Sequence, residues 1–142
     1  MTDQFAGRHG NLAMYHFHWL NLAASATNTD GLLENVTAIT LAVMPASGSI
    51  VGMSVVGTAA VTAGTGIFTP HLASTEFTDQ SIPQVTLSTT TPNNGYDTAR
   101  PGAVTFVAGA TLGISVTTDA AFLPDGSAEF IATLFVKFDS EQ

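Results

Sequence analysis

Residues 45–66 read PASGSIVGMSVVGTAAVTAGTG, and this stretch constrains the fold more than any other. Two short apolar runs, residues 49–56 and 59–63, are cut by Gly48, Gly57, Gly64 and Gly66. Pro45 presets φ and Gly48 accepts positive φ without a Cβ clash, so a tight turn is predicted there. Ile50, Val51, Val55 and Val56 are stiff at χ1 and suit a pleated, covered surface. No window of useful length in the chain shows apolar spacing at i, i+3, i+4 and i+7 over good helix formers. The stretch therefore opens an all-β domain.

Strands are expected at short intervals on either side. Residues 36–44 alternate, with Ile39, Leu41 and Val43 on one face and Ala38, Thr40 and Ala42 on the other. Residues 67–72 follow the Gly64–Gly66 turn, and Pro70 marks an edge strand or a strand end. Pro83 introduces a strand over 84–88. Residues 89–102 read as a long loop, with turn signals at Asn94-Gly95 and Pro101-Gly102. Strands are predicted over 103–108, 112–117 and 128–138. The last puts Phe130, Leu134, Val136 and Phe138 on one face, yet its other face still carries Ile131 and Phe135. A strand apolar on both sides is normally covered on both, so Ile131 and Phe135 are predicted at a subunit interface. Phe122-Leu123-Pro124 is an apolar triplet at a loop; its Phe122 and Leu123 are either tucked into the sandwich or displayed to a neighbouring subunit. About eight strands with Gly and Pro punctuation predict an antiparallel β-sandwich, jelly-roll-like in form.

Residues 1–29 differ from the rest. Asp3 and Arg8 cancel there, whereas residues 30–142 hold ten acids and two bases and carry the whole net charge of −8. The segment is aromatic, with Phe5, Tyr15, Phe17 and Trp19 beside Met14, Leu20 and Leu22, and it closes on the small polar run AASATNTDG. Two readings stand for residues 12–22: an extended N-terminal arm that docks by apolar contact, or a first strand of the domain. On the arm reading, residues 1–29 form arm and linker and residues 30–142 the β-sandwich domain.

Composition excludes several function classes. With 142 residues the chain has the size of one domain, and it holds no Cys, so disulfides, thiolate metal sites and Cys nucleophiles are ruled out. Eleven acids against three bases leave no basic cluster for phosphates, so nucleic acid is not an expected partner. No apolar run approaches the roughly 20 residues of a membrane span, and the first residues lack a signal-peptide layout; a protein made in the cytoplasm, with no membrane partner, is expected. Only 10% of residues are charged, against about 25% in typical domains, while 45% are apolar. Much surface is then expected to lie against neighbours.

Chemistry has weak footholds. His16 and His18 would share a strand face, but no carboxylate except Asp3 lies near them in sequence. Asp119, Asp125 and Glu129 match no calcium-loop spacing, and acidic residues are common at Asp-Gly turns. Ser54 lies within a strand rather than at a nucleophile elbow. Glu76 with Asp79, or Asp119 with Glu129, make only the carboxylate pairs that any acidic chain offers. Neither enzyme activity, a metal nor a cofactor is expected.

Two stretches, MPASGSIVGMSVVGTAAVTAGT at 44–65 and GAVTFVAGATLGISVTTDAAFLPDGSAEFIATLFVKF at 102–138, resemble the small jelly-roll proteins of tailed-phage particles. These are the head decoration or cement proteins and related fibre-head modules. The chain departs from that pattern at Ala110, where such modules often have Asp after the Gly. The resemblance implies a non-enzymatic virion protein, a homotrimer that clamps the major capsid protein from outside the head. Phe5, Met14, Tyr15, Phe17, Trp19 and Leu20 would then dock on the capsid. The alternative is a fibre-head module whose long loop, with Tyr96 and Arg100, touches a host glycan.

Overall fold

A computed structural model describes residues 11–72, 75–76 and 82–139. Among these there is no helix, and twelve strands form two antiparallel sheets. They are β1 (Leu12–Trp19), β2 (Thr29–Asp30), β3 (Leu32–Leu33), β4 (Ala42–Val43), β5 (Gly48–Gly57) and β6 (Gly66–Leu72). The second half supplies β7 (Thr75–Glu76), β8 (Val85–Leu87), β9 (Asn94–Thr98), β10 (Thr105–Phe106), β11 (Thr111–Thr118) and β12 (Phe130–Phe138).

Sheet A runs β10-β5-β12-β1-β3, with β9 sharing the β10 side of β5. Sheet B runs β2-β11-β6-β7, with β4 also on β11 and β8 also on β6. The first strand thus lies against the last, and the long strands of the middle fill in beside them. Apart from the β1–β3 pair, neighbouring strands in each sheet come from different halves of the chain, as in the nested Greek-key order of a jelly roll.

The core fills the space between the sheets by simple alternation. Sheet A contributes Phe17 and Trp19 from β1, Ile50, Met53 and Val55 from β5, and Phe130, Ala132, Leu134 and Val136 from β12. Sheet B answers with Phe68 from β6, Val85 and Leu87 from β8, and Leu112, Ile114 and Val116 from β11. A chain of rings crosses the interior: Trp19 edge-on to Phe68 at 5.1 Å, Phe68 to Phe130 at 6.0 Å, and Phe130 to Phe122 at 6.1 Å. Such pairs add about 0.5–1.5 kcal/mol each beyond the area they bury. Gly57 lies under the Phe130 ring, where a Cβ would overlap it.

Several expectations need correction. Residues 12–22 are not an arm: β1 pairs with β12 along its whole length, and Phe17, Trp19 and Leu22 are buried. Alternation explains this, because Tyr15, Phe17 and Trp19 all point to the side that Leu134, Ala132 and Phe130 occupy opposite them. The division at residues 29 and 30 accordingly does not separate arm from sandwich. Residues 36–44 form a strand only at β4; Glu34, Asn35 and Ala38 take positive φ, and the chain turns instead of extending. Residues 59–63 are irregular apart from a bridge between Ala63 and Leu123. The loop expected over 89–102 contains β9, whose Asn94–Thr98 pair with β5. Phe122 is not displayed: it is 1% exposed and packs on Phe130, while neighbouring Leu123 is 46% exposed.

Candidate functional site

The residues of sheet A that do not face the core form a continuous outer surface. Register sets its rows. Met14 stands opposite Phe135, and Phe135 opposite Gly52. In the next row His16 faces Thr133, Thr133 faces Ser54, and Ser54 faces Tyr96. His18, Ile131, Val56 and Asn94 make the following row. Leu12 and Lys137 lie at the opposite end.

A bulge shapes the middle of this surface. The β5–β12 register shifts between Phe135 and Val136, which pair with Gly52 and Ile50 and leave Val51 as the extra residue. A bulge bends its strand and increases local twist. Gly52, with no side chain, lies opposite the Phe135 ring; a Cβ there would come 3.2 Å from the Asp97 carbonyl oxygen. The result is an open groove of about 540 Å³ lined chiefly by Leu12, Met14, Val51, Gly52, Tyr96 and Phe135. Leu12, Met14 and Tyr96 are 57%, 58% and 81% exposed, unusual for large apolar side chains gathered in one place.

Electrostatics mark the same surface. In a chain of net charge −8, the rows carry no acid, and their basic members are Lys137, His16 and His18. Asp97 borders the groove, but its carboxylate accepts the N–H groups of Gln84 at 3.0 Å and Thr98 at 2.9 Å. His16 Nδ1 lies 3.0 Å from Thr133 Oγ1, so that ring is tied to the sheet.

The outer side of sheet B is built differently. Thr69, His71 and Ser115 are buried there under the chain's own segments. Gln84 Nε2 donates to Thr69 Oγ1 at 2.9 Å, and Asp30 Oδ1 lies 3.1 Å from His71 Nε2. The Thr40 carbonyl approaches so closely that a Cβ on Gly113 would be 2.7 Å from it. One sheet is polar and covered by its own chain; the other is apolar and open.

The residues singled out from sequence divide accordingly. Met14, Ile131 and Phe135 come together on the open surface, from opposite ends of the chain. Phe17, Trp19 and Phe122 belong to the core, and half-buried Tyr15 faces inward, where burial raises its pKa above the usual tyrosine value. Leu20 is exposed just past the end of β1, and Leu123 is exposed beside Ala63, away from the groove. Phe5 lies outside the described residues. Leu12 and Val51 beside Phe135, and Val56 opposite Ile131, were not anticipated; only pairing places them there. Among the described residues no group of three or more His, Asp or Glu side chains gathers as a metal ion would require. Asp119 and Asp125 bond instead to Thr65 Oγ1 at 3.3 Å and to the Ala24 N–H at 2.9 Å.

Fold and surface together define a jelly-roll β-sandwich with one open apolar sheet. A phage capsid chain shares this fold. A chain of the acidic stable capsid structure of Helicobacter pylori bacteriophage KHP30 aligns with a TM-score of 0.50 at 8% identity, covering 91% of this chain and 89% of that one. A chain of the cyanophage Pam1 capsid asymmetric unit aligns with a TM-score of 0.49 at 8% identity, covering 91% and 86%. No protein-family model matches the chain, and no curated protein matches it in sequence.

Proposed function

We propose that the chain is a structural virion protein without enzymatic activity, a decoration or cement protein that binds the outer surface of a phage head as a homotrimer. The observation that carries this reading is the open groove around Phe135. Among the described residues 23 buried apolar side chains already fill the core between the sheets, so Leu12, Met14, Val56, Ile131 and Tyr96 are surplus to it. Apolar area of this kind is stabilised only by a neighbour, at about 25 cal/mol per Å² removed from water. The jelly-roll fold shared with a phage capsid chain supports the same reading.

The charge pattern fits. Among the described acids only Asp97 borders the groove, and its carboxylate is taken up by the Gln84 and Thr98 N–H groups. Copies therefore meet through a nearly neutral surface, while the chain's net charge of −8 repels packaged nucleic acid. Contact with the major capsid protein falls to exposed residues such as Leu20. Three copies then add avidity to individually weak contacts. Synthesis in the host cytoplasm and addition to the head from outside complete the proposal.

Light scattering after size exclusion tests it. The wild-type chain is expected at three times the protomer mass, and Phe135→Asp at the protomer mass with an unchanged circular dichroism spectrum. A wild-type monomer at micromolar concentration, or its failure to co-sediment with heads lacking it, rejects the reading. A second reading, a fibre-head module, is favoured by Tyr96, whose ring is 81% exposed beside the groove and offers a stacking platform for a sugar. A specific glycan-array signal lost in Tyr96→Ala selects that reading instead.

A further inference from the structure

Three Asx-Gly pairs occur in the chain: Asp30-Gly31, Asn94-Gly95 and Asp125-Gly126. At such a pair the glycine nitrogen, with no Cβ beside it, can attack the preceding Cγ and close a succinimide ring. Asparagine loses ammonia in this step, whereas aspartate must first be protonated and loses water. The other asparagines precede Leu, Thr, Val or Asn, whose side chains hinder the nitrogen.

The fold holds two of the three pairs shut. Gly31 is buried, its N–H donates to the Ile114 carbonyl at 3.0 Å, and a Cβ there would overlap the Trp19 ring. Asp30 Oδ1 lies 3.1 Å from His71 Nε2. The Gly126 N–H donates to the Leu22 carbonyl at 2.8 Å, while Asp125 Oδ1 accepts the Ala24 N–H at 2.9 Å. In both pairs the nucleophile and the electrophile are tied to different partners.

Asn94-Gly95 is held only by its strand. The Gly57 N–H donates to the Asn93 carbonyl at 2.8 Å, and the Ala99 N–H to the Val51 carbonyl at 3.0 Å. Odd-numbered residues of β9 therefore bond to β5, and Gly95, opposite Val55, is among them. This ladder and the extended backbone keep the Gly95 nitrogen away from Asn94 Cγ. Yet β9 buries none of its five side chains. Asn94 is exposed, and its Nδ2 lies 3.5 Å from Asn93 Oδ1, the outer limit of a hydrogen bond. Segments with so little buried surface open locally at small cost.

We infer that Asn94 is a site of spontaneous deamidation, gated by local opening of β9. When β9 lifts from β5, the Gly95 nitrogen gives up its proton to solvent and attacks Cγ. The N–Cγ bond forms, the Cγ–Nδ2 bond breaks, and Nδ2 leaves as ammonia. Water then opens the ring at either carbonyl, leaving aspartate or isoaspartate at position 94. Either product puts a carboxylate opposite Val56, in the row of His18 and Ile131 that carries no acid. Isoaspartate also adds a methylene to the backbone, so the pairs Val55 with Gly95 and Met53 with Asp97 lose their register.

Peptide mapping by mass spectrometry tests this on the full chain, incubated folded and in concentrated urea. In the folded chain the first deamidation is expected at Asn94, as a mixture of aspartate and isoaspartate peptides. It should run on the order of tenfold or more slowly than in urea, where no ladder holds Gly95. Asp30 and Asp125 should isomerise more slowly still. Asn94→Gln, at an exposed site, should keep the circular dichroism spectrum and abolish this first product. Equal rates at Asn94 in folded and unfolded chain overturn the gating by β9. A folded chain in which Asn94 reacts no faster than Asp30 or Asp125 overturns the site itself, as does a product of aspartate alone. These outcomes are read by mass, separately from the assembly proposed above.

Discussion

Met14 stands directly across from Phe135 in the β1–β12 ladder, and both side chains leave sheet A on its outer side. The pair joins the first strand to the last, so the open apolar surface exists only when the jelly roll has closed. Gly52 on the far side of Phe135 keeps the ring low and the groove open. This relationship links the architecture to the proposed assembly.

Met14→Asp is expected to weaken self-association as Phe135→Asp does, because each places a charge in the same groove. Its effect on folding should stay within about 0.5 kcal/mol, as for other exposed positions. Light scattering and urea titration on the same sample separate the two effects. Loss of folding with either variant would mean that the groove belongs to the core.

Trp19 distinguishes a strand from an arm. It is 4% exposed, meets Phe68 edge-on, and donates from Nε1 to the Thr29 carbonyl at 2.9 Å. Trp19→Ala is expected to cost about 3–5 kcal/mol of stability, whereas Leu20→Ala, at an exposed site, should cost under about 0.5 kcal/mol. Denaturant midpoints check both. A small effect for Trp19→Ala would restore the arm reading of residues 12–22.

Gly64 has φ of +71°, and a Cβ there would stand 2.5 Å from the Phe122 N atom. Gly64→Ala combines left-handed strain of about 1–2 kcal/mol with a clash against the loop that seats Phe122. A drop in thermal midpoint of several degrees is expected, with the shift concentrated in residues near Phe122 by chemical-shift mapping. An unchanged midpoint would show that the loop is free to move away.

Tyr15 links stability to alkaline pH. Burial raises its pKa in the folded state above the ordinary tyrosine value, because burial disfavours the phenolate. Between the unfolded and folded pKa values the folded chain holds the extra proton. The contribution is therefore complete below about pH 10 and is lost as pH rises through the folded value. Urea midpoints measured from pH 8 upward should fall more steeply for the wild type than for Tyr15→Phe. Parallel curves would remove Tyr15 as a cause.

Much of the fold was legible before any coordinates. Gly48 and Gly57 mark the ends of β5, although both are strand residues paired with β12 and neither takes the positive φ expected of a turn at Gly48. The alternation of residues 130–138 separates a core face from an apolar outer face. What misled was composition taken without parity. The aromatic run of residues 12–22 looked like an arm because its inward and outward residues, such as Trp19 and Met14, are both large and apolar. β9 went unseen because Asn94-Gly95-Tyr96-Asp97-Thr98 has no apolar alternation; its ladder to β5 and not its side chains makes it a strand.

By itself, the sequence determined the all-β class, most of the long strands and the apolar excess of β12, since these follow from local periodicity, stiff β-branched residues and turn chemistry. Only the tertiary structure decided that Met14, Phe135 and Tyr96 share a groove and that Trp19 and Phe122 belong to the core. The reason is physical. Periodicity states that a strand has two faces, but which face meets the core is settled by pairing across the sheet, and pairing joins residues that are remote in the chain.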